Sequence, residues 1–292
     1  MHRAAPRRGS ADIATSLERR LLWHALQVEG PSEVVDHLGA LLPDARHPVP
    51  AQRSLRYEVT SHADGYSIAE EGDALATIPA GVRAAEDAAG MVHVRAHRRA
   101  FELASLAGWA RVHAATVDLH GVRVLVVGHS GAGKSTLATQ LLLEGADVQG
   151  DESVLVRRGE SLAVPRALHL KPGADRVLPD LGDVLPTLPV VGDVTILDPA
   201  RIGRPLVLTL APVEHVVLLA GPGAGTVVDA PVCTPVDGGT VLEALLTDAF
   251  PLTETKARMV SVVVGAMVSA HGHRLSAGPP AAMVEVLRGA IR

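Results

Sequence analysis

Apolar positions along residues 13–28 recur at helical spacing: Leu17, Leu21, Leu22, Ala25 and Leu26 stand among Glu18, Arg19 and Arg20, and the pattern predicts a first helix. Residues 32–42 read as a second, shorter helix started by Pro31 and Ser32, and 43–50 as a loop closed by prolines. The period then changes to two. Leu55, Tyr57 and Val59 alternate with polar partners over 54–60, and 66–69 and 74–78 follow as short strands across Asp-Gly and Gly-Asp turns. A small antiparallel sheet is expected there, followed by a long helix over 82–106.

Residues 110–119 alternate again, turn at Leu119-His120-Gly121, and continue as the apolar run 122–127, which predicts a hairpin. A glycine-rich loop follows, then a helix that begins near Lys134 and covers 137–143, with Gly145 as its C-terminal cap. Residues 146–157 read as one strand with Gly150-Asp151-Glu152 in its middle. The segment 165–199 is rich in Pro, Gly and Asp and is expected to be a surface excursion with short elements. A buried strand over 213–220 and helices over 240–250, 254–269 and 280–291 complete the reading. The expected organisation is a disordered tail over 1–12, an N-terminal α+β domain over 13–107, and a nucleotide-binding domain over 108–292.

Composition narrows the function classes. The chain has 292 residues, 47% of them hydrophobic, enough to fill a sizeable core. Aromatics make up only 2%, so that core is built from Ala, Val and Leu. A formal charge of -5 argues against holding nucleic acid by bulk electrostatics. The single cysteine, Cys233, excludes an intrachain disulfide and suits a reducing, cytoplasmic setting; it reads as an inert residue of a half-buried strand. The basic N-terminus lacks the apolar stretch of a secretory signal, and no run of apolar residues is long enough to span a bilayer, so no membrane association is expected.

The candidate chemistry starts at Gly128. Residues 128–135 match G-x-x-x-x-G-K-[ST], placed between an apolar strand and a helix as a phosphate cradle requires. Glycines 128, 131 and 133 allow backbone N–H groups to turn around an anion. Lys134 supplies a cation for the outer phosphates, Ser135 offers a hydroxyl to Mg²⁺, and the helix N-terminus adds its dipole. The candidate nucleotide-binding residues are Gly128, His129, Ser130, Gly131, Ala132, Gly133, Lys134, Ser135 and Thr136. Asp151 and Glu152 interrupt an apolar strand one helix later, at the distance that returns a neighbouring strand to the same site. One carboxylate can hold Mg²⁺ and the other can accept a proton from an attacking hydroxyl. Ser135, Asp151 and Glu152 are therefore the candidate metal ligands.

These residues resemble the HPr kinase/phosphorylase family and, more loosely, the phosphoenolpyruvate carboxykinases. The resemblance lies in His113 on the strand before the loop, the turn at Gly121, GHSGAGKST, Gly150-Asp151-Glu152, and Leu168 to Gly173. It is best over about residues 112–173. The chain departs from the family in having Glu at the second acidic position and in lacking the downstream glycine-rich segment used for phosphorylase activity, so HPr itself and the reverse reaction are not expected. The resemblance implies an α/β fold, a P-loop kinase core with a mixed sheet, behind a smaller α+β domain. It also implies ATP and Mg²⁺ as cofactors and transfer of the γ-phosphate to a hydroxyl, on a protein, a peptide or a small compound. Asp151 would then act as base or metal-linked acceptor, Lys134 would neutralise the β- and γ-phosphates, and His113 would face the transferred phosphate or the acidic pair. A homo-oligomer is admitted.

Two other classes fit the cradle alone: a nucleotide-binding regulatory protein without transfer, and a P-loop NTPase switch or transporter motor. The second lacks an LSGGQ-like segment and an Asn-Lys-x-Asp motif, and the acidic pair follows the loop too early for it. His169 and Lys171 read as loop residues within reach of a ligand. Arg201 and Arg204 are candidates for a cation acting in cis. His271 and His273 resemble a metal pair but have no third ligand at suitable spacing. The N-terminal domain is expected to help select the acceptor.

Overall fold

The computed structural model describes residues 14–220, 230–247, 249 and 255–291. The tail expected over 1–12 lies outside them. Strand β1 (Ala14–Leu21) turns through Leu22 and Trp23 into β2 (His24–Pro31), with Leu21 opposite His24. Leu22 takes a φ of 53°, as the first position of a tight hairpin turn demands. The helix expected over 13–28 is thus a hairpin. Its apolar positions satisfy either period, and the decision is made by β4 (Arg53–His62), against which β2 pairs in parallel with Leu26 opposite Leu55 and Val28 opposite Tyr57.

Helix α1 (Ser32–Leu41), the short β3 (Ala45–Arg46), β4 (Arg53–His62), β5 (Gly65–Glu70) and β6 (Asp73–Pro79) follow. Strands β1, β2, β4, β5 and β6 form one sheet in the order β1-β2-β4-β5-β6. Helix α2 (Ala84–Leu106) presents Ala88, Val92, Ala96, Ala100 and Ala104, one residue per turn and all fully buried. Small side chains at every fourth position let this helix lie close to its neighbours.

In the second half β7 (Ala110–Val112) is separate from the expected hairpin, which consists of β8 (Ala115–Leu119) and β9 (Val122–Val127) joined at His120 and Gly121. Helix α3 (Lys134–Leu143) and β10 (Asp147–Gly150) come next, then β11 (Val154–Arg157), β12 (Glu160–Ala163) and β13 (Leu168–Leu170). The one strand expected over 146–157 is two strands in different sheets: β10 pairs with β8, whereas β11 lies between β12 and β7. The register slips between Val148 and Gly150, where a Cβ would come within 3.0 Å of the Val164 carbonyl oxygen. Residues 151–153 therefore cross from one sheet to the other.

The segment 165–199 is a wall of the core rather than an excursion over it. It carries α4 (Ala174–Val177), β14 (Val190–Val191) and β15 (Val194–Leu197), and it buries Leu168, Leu170, Leu178, Leu181, Leu188 and Leu197. Prolines and glycines mark its turns correctly, but the leucines between them point inward. Strand β16 (Leu206–Val207) pairs in parallel with β3. The rest of the chain comprises β17 (His215–Leu219), β18 (Cys233–Val236), α5 (Gly238–Thr247), α6 (Lys256–Met267), β19 (His271–Leu275) and α7 (Pro280–Ala290). The main sheet has the order β10-β8-β9-β17-β19-β18 and is mixed: β9, β17 and β19 run parallel and the remaining pairs antiparallel. One apolar cluster joins the N-terminal sheet and α2 to Leu155, Leu162, Ala163 and Val164, which sets α2 beside the crossing at 151–153. No helix among the described residues is long and apolar enough to cross a membrane.

Candidate functional site

Strand β9 ends at Val127 and the chain passes through residues 128–133 into α3. Gly133 is the N-cap, with a φ of 99° that a side chain would strain. Gly128 is needed for a different reason: a Cβ there would lie 3.1 Å from the Leu219 carbonyl oxygen. Lys134 is buried, and its Nζ donates to the carbonyl oxygens of Gly128 at 2.5 Å and His129 at 3.3 Å. The ammonium is thus tethered by the loop it follows.

A cavity of about 480 Å³ opens over this loop. Ser130, Gly131, Gly133, Lys134, Ser135 and Thr136 line one side, and His113, Asp151 and Glu152 line it from the neighbouring strand ends. The sequence-derived candidates therefore converge, with three exceptions. Gly128, His129 and Ala132 are not part of the lining. Ala132 is buried, and His129 is exposed, with its ring Nδ1 2.9 Å from the Ser130 carbonyl oxygen.

Asp151 is the least ordinary group in the cavity. It is 4% exposed, and burial raises its pKa above the usual aspartate value. The Ser135 hydroxyl, the Arg166 guanidinium and the His169 backbone N–H oppose that rise without cancelling it. Its Oδ1 has no hydrogen-bond partner among the described residues. A buried carboxylate oxygen left unpaired costs on the order of 1–3 kcal/mol, a cost a bound cation would remove.

Arg166, which sequence reasoning missed, lines the cavity and forms an ion pair with Glu152. Its Nη2 donates to His169 Nδ1 at 2.8 Å. Burial, reinforced by this guanidinium, pulls the His169 pKa down to about 4, so the ring is neutral and able to accept. His169 and Lys171 both line the cavity. Arg201 instead lines a separate cavity with Arg19 and Asp36, and the Arg204 guanidinium lies beside Gly145. His271 and His273 lie on β19 next to His215, whose Nδ1 is 2.9 Å from His273 Nε2, and none of the three lines the cavity over the loop. Nothing in the sequence around Arg166, a lone arginine after a proline, distinguishes it from a solvated residue; only the folding of β13 against the crossing places it.

A second cavity, of about 600 Å³, adjoins the first and shares Glu152 and Arg166 with it. Its far wall is α2, through His93, His97, Arg98, Phe101 and Glu102, and β7 contributes Arg111.

No protein-family model matches the chain. Among curated proteins, it is similar to the HPr kinase/phosphorylase of Clostridium acetobutylicum, at 34% identity over 68 residues, 23% of this chain and 22% of that protein. The HPr kinase/phosphorylase of Chlorobium chlorochromatii is 44% identical over 54 residues, covering 18% and 16%. That of an Exiguobacterium species is 41% identical over 66 residues, covering 22% and 21%. Each match thus spans less than a quarter of the relative's length. The solved structure of the Hpr(Ser) kinase/phosphatase from Coxiella burnetii aligns over 62% of this chain and 90% of that one, at 13% identity and a TM-score of 0.34. Over these matched segments the chain is similar to HPr kinase/phosphorylases.

Proposed function

We propose that the chain is a P-loop kinase that uses ATP and Mg²⁺ and transfers the γ-phosphate to the hydroxyl of a protein, a peptide or a small compound. The observation that carries this reading is Asp151: a buried carboxylate, bonded to the Ser135 hydroxyl, with one oxygen unpaired, facing a glycine-rich loop that ends in Lys134. The names of the curated relatives support a kinase as well.

The residues present fit a magnesium ion. Ser135, Asp151 and Glu152 make an all-oxygen donor set, and Mg²⁺ needs only one or two carboxylates because it retains several waters. When bound, the ion offsets negative charge on the β- and γ-phosphates. Lys134 exchanges its loop carbonyls for phosphate oxygens, a charge-assisted contact in place of a neutral one. The N–H groups at the start of α3 add further donors. The Asp151 carboxylate, made more basic by its burial, accepts the proton as the acceptor O–H breaks and the acceptor oxygen bonds the γ-phosphorus. The bond from that phosphorus to the β–γ bridging oxygen breaks in the same displacement, and ADP leaves. Arg166 balances the carboxylates during this step, and His113 orients the transferred phosphate from the same strand ends as Asp151.

Incubation with γ-labelled ATP, Mg²⁺ and a panel of hydroxyl acceptors tests the reading. The wild type is expected to transfer label, and Lys134→Ala and Asp151→Asn to lose it by at least about 10²-fold, the usual weight of a positioned base. ATP binding with neither transfer nor hydrolysis across the panel would overturn the kinase and identify a nucleotide-binding regulatory protein.

A further inference from the structure

The second cavity has a charge pattern that the nucleotide chemistry does not use. Its size falls in the range of small-molecule sites. Arg98 pairs with Glu102 at 3.3 Å, and Arg166 pairs with Glu152. Arg111 is the cation left over. Among the described residues it forms no ion pair: its Nε donates to Ser153 Oγ at 2.9 Å and its guanidinium lies 4.7 Å from the centre of the Phe101 ring. Burial lowers its pKa below the usual guanidinium value, as expected of a desolvated cation that lacks a counter-ion. His93 and His97, on the same wall, are held to about 2 and about 4 by burial and are therefore neutral. Among the residues that line it, three guanidinium groups thus stand against two carboxylates, one of which, Glu102, also pairs with Arg99, so the lining carries an excess of positive charge.

That charge is tied to the transfer site through the chain itself. Ser153, the partner of Arg111, is two residues from Asp151, and two extended residues span roughly 7 Å at most. Arg111 on β7 and His113 just after it stand two residues apart, so one stretch of chain serves both cavities.

We infer that the second cavity is the acceptor compartment and takes a hydroxyl compound bearing a single carboxylate, with the carboxylate on Arg111 and the hydroxyl toward Asp151. This rests on the kinase reading above. With its Nε occupied by Ser153, the guanidinium presents its remaining N–H groups to a carboxylate. One negative charge neutralises the compartment. A phosphate dianion would add a second charge facing Glu102 and Glu152. The carboxylate can belong to a free hydroxy acid or to the C-terminus of a peptide ending in a hydroxyl residue.

The test is calorimetric titration of the full chain, saturated with Mg²⁺ and a non-hydrolysable ATP analogue. The probes are glycerate, N-acetylserine and an N-acetylated tripeptide ending in serine, each against its carboxamide. At least one acid is expected to bind at least about tenfold more tightly than its amide, the weight of one charged hydrogen-bonded contact; the acid that does so tells free compound from chain terminus. Arg111→Gln is expected to erase that difference while leaving nucleotide affinity and melting temperature unchanged, and Arg111→Lys to restore part of it. Acid and amide binding alike, or no acid binding while the nucleotide does, would overturn the inference and leave the kinase reading standing. Failure of the wild type to bind the nucleotide would instead remove the kinase reading itself.

Discussion

At the scale of single residues, the interior holds two charges that ordinary packing would avoid. Asp151 has a pKa raised by burial, so the folded state holds its proton more tightly than the unfolded chain does. Its contribution therefore favours low pH and is lost as pH rises above the usual aspartate value. Arg123, on β9 of the main sheet, is the second charge and is fully buried. It is ion-paired with Asp118, and it donates to Ser161 Oγ at 2.8 Å and Thr209 Oγ1 at 2.6 Å, while Gln149 Nε2 donates to Asp118 Oδ2 at 2.6 Å. Removing one partner of such a pair leaves the other uncompensated. Arg123→Met is expected to lower the unfolding free energy by about 3–5 kcal/mol in urea denaturation, and Asp118→Asn in the same background to recover part of it. Independent, additive effects of the two substitutions would contradict this coupling. Neither Arg123 nor Arg166 was legible in the sequence, because an arginine is read as exposed until its partners are known, and those partners lie up to 86 residues away. Asp151 was legible because a carboxylate pair inside an apolar run is conspicuous without any partner.

At the scale of elements, what could be read was set by how far a signal depends on its neighbours. The glycine-rich loop is local chemistry: Gly133 at the N-cap and the lysine after it specify the turn into α3 wherever the strand lies. The long helix α2 is likewise local, since its alanine repeat has one period. Residues 13–28 admit two periods, and β2 becomes a strand only because β4 offers an edge to pair with. Residues 146–157 look continuous because Val148 and Val154–Val156 are apolar, yet β10 and β11 bury those side chains in different layers. The break falls on the acidic pair. That break turns a polar interruption into a bend, and the bend carries Asp151 into the cavity while leaving Ser153 beside Arg111. A reading of periodicity finds the residues but not the bend.

At the scale of the whole molecule, the two cavities meet where α2 lies against the crossing at 151–153, and the same junction buries several neutral histidines. Burial holds His97 and His169 to about 4 and His93 to about 2 there, and it holds His47, beside Arg20 of the N-terminal hairpin, to about 4. In the unfolded chain each titrates near its ordinary value of about 6.5. The unfolded state therefore binds more protons below that pH, and the stability these residues contribute is present above it and lost as pH falls toward 4. Asp151 works in the opposite direction but is one group against four. The urea midpoint is expected to fall steadily from pH 7 to pH 5, and to fall less in His97→Gln; a midpoint that holds or rises over that interval would contradict the buried, neutral histidines. The proposed kinase activity requires that the cavity between the loop and Asp151 bind a nucleotide with Mg²⁺. Calorimetric titration of ATP into the full chain, with and without Mg²⁺, tests it most directly. Binding that needs Mg²⁺ and weakens at least about tenfold in Lys134→Ala, through loss of a charge-assisted contact, is the predicted result. Equal ATP affinity in wild type and Lys134→Ala, indifferent to Mg²⁺, would contradict it.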